Sequence, residues 1–151
     1  MKKVLLVLSF CLLVGINNIF AVQIKRIEKR QSEIGFVLGS PTGATAKISL
    51  SKKNAMDFVV GLGNGFMIHA DYLWQDFDAF EVNEGQLPLY YGFGVLVAVD
   101  DHNDNDVCFQ GKIGLEYLFD TNPLGIFIEM APAVGTDFII QGGIGVRFRL
   151  K

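Results

Sequence analysis

Phe138-Ile139-Ile140-Gln141-Gly142-Gly143-Ile144-Gly145-Val146-Arg147-Phe148-Arg149-Leu150 is the stretch whose reading decides the fold. One parity holds Phe138, Ile140, Gly142, Ile144, Val146, Phe148 and Leu150. The other holds Ile139, Gln141, Gly143, Gly145, Arg147 and Arg149. Drawn out as a β-strand, the segment has one greasy face and one face of small, polar and cationic groups. A water-soluble strand alternates in the same way. What sets this chain apart is that the pattern recurs along its length with no charge on the greasy side.

Working back from that stretch, the alternation and the turn residues predict seven more strands. They are 33–39, 44–50, 55–63, 66–75, 87–99, 107–119 and 124–134. Ser40-Pro41-Thr42-Gly43 and Asp120–Pro123 read as turns, and Asn64-Gly65 is a strong hairpin signal. Pro88 sits near the start of its strand, where a missing N–H is tolerated. Asp76–Gln86 is the longest connection and is acidic; Asp100–Asp106 is a second acidic loop.

Composition agrees with many strands. Half of the 151 residues are hydrophobic, Gly (17) and Phe (13) are abundant, and Pro is scarce at 4. After the first residues no run of about 18 apolar residues suggests a spanning helix. Met1–Ala21 reads as a secretory signal: Lys2 and Lys3, an apolar core over Val4–Ile16, then a cut after Ala21. Cys11 as a lipidation site and an uncleaved anchor are the alternatives. Residues 22–32 read as a short polar, basic tail, and 33–151 as the barrel domain. Removing Lys2 and Lys3 moves the formal charge from −3 to −5, which argues against a nucleic-acid partner. Cys108 then remains alone, so no intrachain disulfide forms. A closed barrel in lipid supplies the missing stability.

Alternation does not say which face points inward. Three features favour greasy side out. The apolar face carries more bulky side chains than an eight-stranded interior holds. Glycines such as Gly35, Gly61, Gly92, Gly94, Gly114 and Gly145 gather on the polar face, where a narrow interior needs small residues. The polar-face charges also nearly balance: Glu33, Asp57, Asp71, Glu116 and Glu129 against Lys47, Lys112, Arg147 and Arg149, with His69 among them. Buried charges must be paired, so this set is the expected lumen network. Tyr72, Trp74, Tyr90, Tyr91, Tyr117 and Phe119 fall at one level and are the expected aromatic girdle. The reading is therefore all-β: an eight-stranded, antiparallel, up-and-down transmembrane β-barrel.

This pattern resembles the small eight-stranded outer-membrane barrels, the OmpA-transmembrane-domain and OmpX-like group. It looks most like the short barrels of spirochaetes and other double-membraned bacteria. Gln141, Gly143, Val146 and Phe148 match the group's terminal assembly signal, although the chain runs on to Leu150-Lys151. The resemblance implies a bacterial outer-membrane location, insertion by the barrel-assembly machinery, and outer-membrane lipid as surroundings. It does not fix a role, because one scaffold hosts many.

The expected role is structural or interactive, with host or envelope proteins as partners of the surface loops, an adhesin being one form. Two alternatives stand beside it. In the first, His69 and Asp71 act as an Asp–His pair in a lipid A-modifying enzyme. In the second, the chain is a soluble periplasmic, lipocalin-like binding barrel. No cofactor is implied. Asp101, Asn103 and Asn105 occupy alternate positions of a calcium-loop pattern. Asp106 stands where that pattern needs Gly, and Lys112 where it needs Glu, so no metal site is assigned. No Gly-rich phosphate loop opens a helix.

Overall fold

The computed structural model describes residues 31–63, 65–99 and 105–150. The expected leader, nearly all of the basic tail, Asn64 and residues 100–104 of the second acidic loop lie outside them. Eight strands follow in chain order: β1 (Ser32–Ser40), β2 (Thr42–Ser49), β3 (Asn54–Gly63), β4 (Gly65–Asp76), β5 (Leu89–Val99), β6 (Asn105–Leu118), β7 (Leu124–Val134) and β8 (Phe138–Leu150). Each pairs antiparallel with the next, and β8 returns to β1, closing the barrel. Closure sets Ile34 opposite Phe148 and Gly35 opposite Arg147. It removes the unpaired edges that an open sheet would leave.

The observed strands differ from the expected bounds only at their ends. β2 begins at Thr42 rather than Ala44. The Thr42 hydroxyl both accepts from the Gly39 N–H and donates to the Gly39 carbonyl, so the reversal closes around Pro41 alone. β5 begins at Leu89, not Leu87, because Pro88 has no N–H to give the ladder. Chain pairing still continues below it: Gln86 bridges Leu118, and the Glu116 N–H donates to the Pro88 carbonyl. Gly65 opens β4 at φ 115°, a left-handed turn conformation that suits glycine.

The alternation read from the sequence becomes two surfaces. The inner one buries Glu33, Lys47, Asp57, Asp71, Lys112, Glu116 and Arg147 together with Val59, Leu73, Leu96 and Phe127. The outer one leaves large apolar groups uncovered: Phe109 is 77% exposed, Leu62 67% and Phe36 66%. Among the described strand residues, the one charged side chain on this outer parity is Asp76, the last residue of β4. The strands run from 8 residues in β2 to 14 in β6. A tilted strand needs about 9–11 residues to cross a hydrocarbon core.

The two ends of the barrel are unequal. At the end away from the termini, β1 and β2 are joined through Pro41 alone, β3 and β4 through residue 64, and β7 and β8 through 135–137. The longest connection, 77–88, lies at the end that carries the termini. It is tied to the β6–β7 turn region: the Gly85 N–H donates to Asp120 Oδ2 at 2.8 Å, and the Tyr117 hydroxyl donates to the Glu84 carbonyl at 2.9 Å.

Candidate functional site

Among the described residues, the lumen is where the fold concentrates charged side chains. Each charged residue there sits on the inward parity of its strand, so the pleat alone aims it at the barrel axis. Residues far apart in sequence thereby meet. Lys47 on β2 contacts Glu33 on β1 at 3.0 Å and makes a short hydrogen-bonded ion pair with Glu116 on β6. Lys112 on β6 reaches Asp57 on β3 at 2.8 Å, Asp71 on β4 at 2.7 Å and Glu129 on β7 at 3.6 Å.

Arg147 on β8 completes the cluster. It is fully buried and contacts Asp57 at 3.0 Å, Glu116 at 3.6 Å and Glu129 at 3.7 Å. It also donates to the Thr45 hydroxyl, and its guanidinium lies 3.8 Å from the centre of the Phe127 ring. Room for that ring comes from Gly145, where a Cβ would stand 2.6 Å from Phe127 Cε1. A single guanidinium thus serves three carboxylates on three strands.

Three of the expected positions behave differently from the sequence reading. Arg149 is not part of the ionic cluster. Its guanidinium sits at the mouth and donates to the Phe119 and Asn122 carbonyls, because β8 has by then climbed to the turn between β6 and β7. Tyr90 does not belong to the girdle. It follows the inward parity of β5, is fully buried, and donates from its hydroxyl to Glu129 Oε2 at 2.8 Å. His69 lies inside but next to amides: Gln110 Nε2 is 3.1 Å from His69 Nδ1 and donates to Asp71 Oδ1 at 2.6 Å. Gln110 was missed in the sequence because an uncharged inward residue carries no signal of its partners.

Tyr90→Phe keeps the ring and removes the hydroxyl that serves Glu129. We expect a loss of about 1–3 kcal/mol, the cost of a buried acceptor left without its donor. Urea midpoints of the refolded barrel, followed by gel mobility, measure it.

Apolar layers close the lumen on both sides of the charges. Met67, Leu96, Cys108 and Ala133 pack together towards the end away from the termini. Ala55, Leu73 and Tyr90 pack towards the other. Beside His69 and Gln141 a space of ≈ 10 Å³ remains. That is about the size of one water and too small for a solute to pass.

The other expected girdle residues face outward. Trp74 stacks on Tyr91 with centroids 6.0 Å apart and meets Tyr72 edge-on at 5.1 Å; Tyr117 meets Phe119 edge-on at 4.8 Å. All lie at the terminus-bearing end of β4, β5 and β6. Of the expected assembly-signal positions, Gln141 and Gly143 follow the inward parity of β8, while Val146 and Phe148 follow the outward one. Asp106, expected in the second acidic loop, lies at the start of β6 and accepts from the Thr136 hydroxyl at 3.1 Å. Among the described residues no group of three or more His, Cys, Asp and Glu side chains is arranged to hold a metal ion.

A solved structure shares this architecture. The N-terminal β-barrel domain of Pseudomonas aeruginosa OprF superposes with a TM-score of 0.55 at 14% sequence identity, covering 80% of this chain and 97% of that one. No protein-family model matches the chain, and no curated protein matches it. At this identity the likeness shows a shared eight-stranded barrel fold. It lends nothing to a special nearness to spirochaete barrels.

Proposed function

We propose that this chain is an integral barrel of the bacterial outer membrane, with a sealed, charge-paired interior and a structural or interactive role in the envelope. The observation that carries the reading is the outer surface. Soluble monomers rarely expose contiguous apolar patches larger than a few hundred Å². Here Phe36, Leu62, Phe93, Phe109, Ile128 and Ile140 are each more than half exposed, on strands that run right round the barrel. Lipid is the solvent that fits such a surface, and closure satisfies every strand's backbone there. The aromatic cluster around Trp74 then sits at the periplasmic interface, on the side of the termini.

Insertion by the barrel-assembly machinery, through Gln141, Gly143, Val146 and Phe148, belongs to the same proposal, as does a cleaved leader over residues 1–21. The two described reversals at the outward end, Pro41 and 135–137, are short and offer little surface for capturing a host protein. A lipid A-modifying activity is the weaker reading, because His69 and Asp71 face the lumen and are bridged by Gln110. Membrane fractionation followed by gel mobility with and without boiling tests the proposal. We expect the chain in the outer-membrane fraction, with a folded band that shifts on heating. Recovery in periplasmic extract without detergent would refute it.

A further inference from the structure

We infer that the outer wall of the barrel binds one lipid acyl chain by its hydroxyl group, at a break in the β6–β7 ladder that leaves the Gly111 carbonyl without a donor. The break is visible in the register. Phe109 pairs with Val134 and Gln110 with Ala133, and pairing resumes at Ile113 and Met130. The alignment is the same on both sides of the gap, so the chain has no bulge there and Gly111 stands level with Pro132. On its other edge Pro132 lies in an unbroken ladder, opposite Ile140 of β8. In an antiparallel sheet a residue exchanges both its N–H and C=O bonds with one neighbour. Pro132 therefore faces Gly111, and proline has no N–H to give. The two positions dropped from the ladder, Gly111 with Pro132 and Lys112 with Ala131, are the two that this bond would define. Proline within a sheet is ordinarily confined to edges and bulges. A closed barrel has no edge, so here the wall keeps an unserved acceptor, and hydrocarbon offers it no water.

The surroundings fit a lipid chain. Gly111 follows the outward parity of β6, between Phe109 and Ile113. A Cβ built on it would meet nothing nearer than the Gly92 carbonyl oxygen at 3.9 Å and Pro132 Cγ at 4.0 Å, so the wall is hollow beside the free carbonyl. Exposed Phe93 lies opposite on β5, and exposed Phe109 stands above. Ile140 and Val134 flank the far side, both exposed. An apolar hollow with one hydrogen-bond acceptor suits an acyl chain that carries a hydroxyl. Height says where on the chain that hydroxyl lies. Pro132 is two residues from Val134, the last residue of β7, at the end away from the termini. The hollow is thus about 7 Å along the strand from its outward end. The occupant is an outer-leaflet lipid hydroxylated close to its headgroup.

The inference rests on the lipid-covered reading of the outer face, and its test separates the two. The chain is refolded in phosphatidylcholine vesicles whose acyl chains are either plain or hydroxylated at the β-carbon. Boiled and unboiled gel samples report folding, and urea titration reports stability. We expect the hydroxylated lipid to raise the parent's folding equilibrium constant about two- to tenfold, the net worth of one hydrogen bond. Gly111→Val fills the hollow where a side chain has room, and should fold and lose that gain. Pro132→Ala returns the N–H to the ladder; it should exceed the parent's stability in plain lipid and ignore the hydroxyl. A parent indifferent to the hydroxylated lipid overturns the site, and so does an equal gain in parent and Gly111→Val. A gain that grows with the protein-to-lipid ratio would seat a second copy there and overturn it too. Failure of Gly111→Val to fold would show that the space is not open, and counts against the site; if Pro132→Ala fails to fold, Gly111→Val decides alone. A parent that gives no heat-shifted folded form in either lipid would instead remove the membrane reading.

Discussion

Arg147→Ala is expected to destabilise the barrel by about 3–5 kcal/mol, the usual cost of removing one partner from a buried ion pair. The size of the effect follows from how much the one side chain serves. Asp57, Glu116 and Glu129 come from β3, β6 and β7, and Arg147 alone contacts all three. Without it, three buried carboxylates depend on Lys47 and Lys112, which Glu33 and Asp71 already occupy. The substitution also removes the guanidinium from the Phe127 ring and from the Thr45 hydroxyl. Urea titration of the refolded protein, read by the folded gel band, gives the shift. Lys53→Ala, exposed in the turn after β2, is the control and should stay within about 0.5 kcal/mol. An Arg147 variant as stable as the control would mean that the lumen charges are solvated rather than paired.

The second large effect concerns the outside. Ile128 stands near the middle of β7, faces outward and is 58% exposed. Ile128→Arg should cost about 2–4 kcal/mol in a bilayer, the range for a cation at the midplane on the lipid face of a barrel. The same change at Val134, the last residue of β7, should cost about 1 kcal/mol or less, since the penalty falls away towards the interface. The pair matters more than either number. In a barrel dissolved in water, both substitutions would put charge on a wet surface and both would be nearly neutral. Unfolding midpoints in vesicles, compared across the two variants, measure the depth dependence.

Much of this architecture was legible because a barrel strand carries its own orientation. Once Phe138–Leu150 is read as period two, Gln141 and Arg147 must share a face, and the same rule assigned Lys47, Asp57, Asp71, Lys112 and Glu116. The rule also places Tyr90 inside: height along the strand puts it level with the girdle, but parity turns its ring to the lumen. What parity cannot give is distance around the barrel. Lys47 meets Glu116, and Arg147 meets Asp57, across the lumen rather than along a ladder. Those pairings depend on strand tilt and side-chain reach, which no local pattern encodes. Arg149 shows the complementary limit: its inward parity was right, but its height put it beyond the ionic layer, among turn carbonyls. The unequal ends of the barrel could be seen in the loop lengths. The tie between 77–88 and Asp120 could not, because it joins segments with no shared periodicity.

Trp74 is the sole tryptophan, and its ring lies on the outer face beside Tyr91 and Phe93. Its emission in vesicles made with brominated acyl chains, set against quenching by aqueous iodide, asks what that face touches. Contact with lipid predicts strong quenching by the bromolipid, blue-shifted emission and little response to iodide. Emission untouched by bromolipid but quenched by iodide would show that the apolar exterior faces water, and the membrane assignment would fall with it.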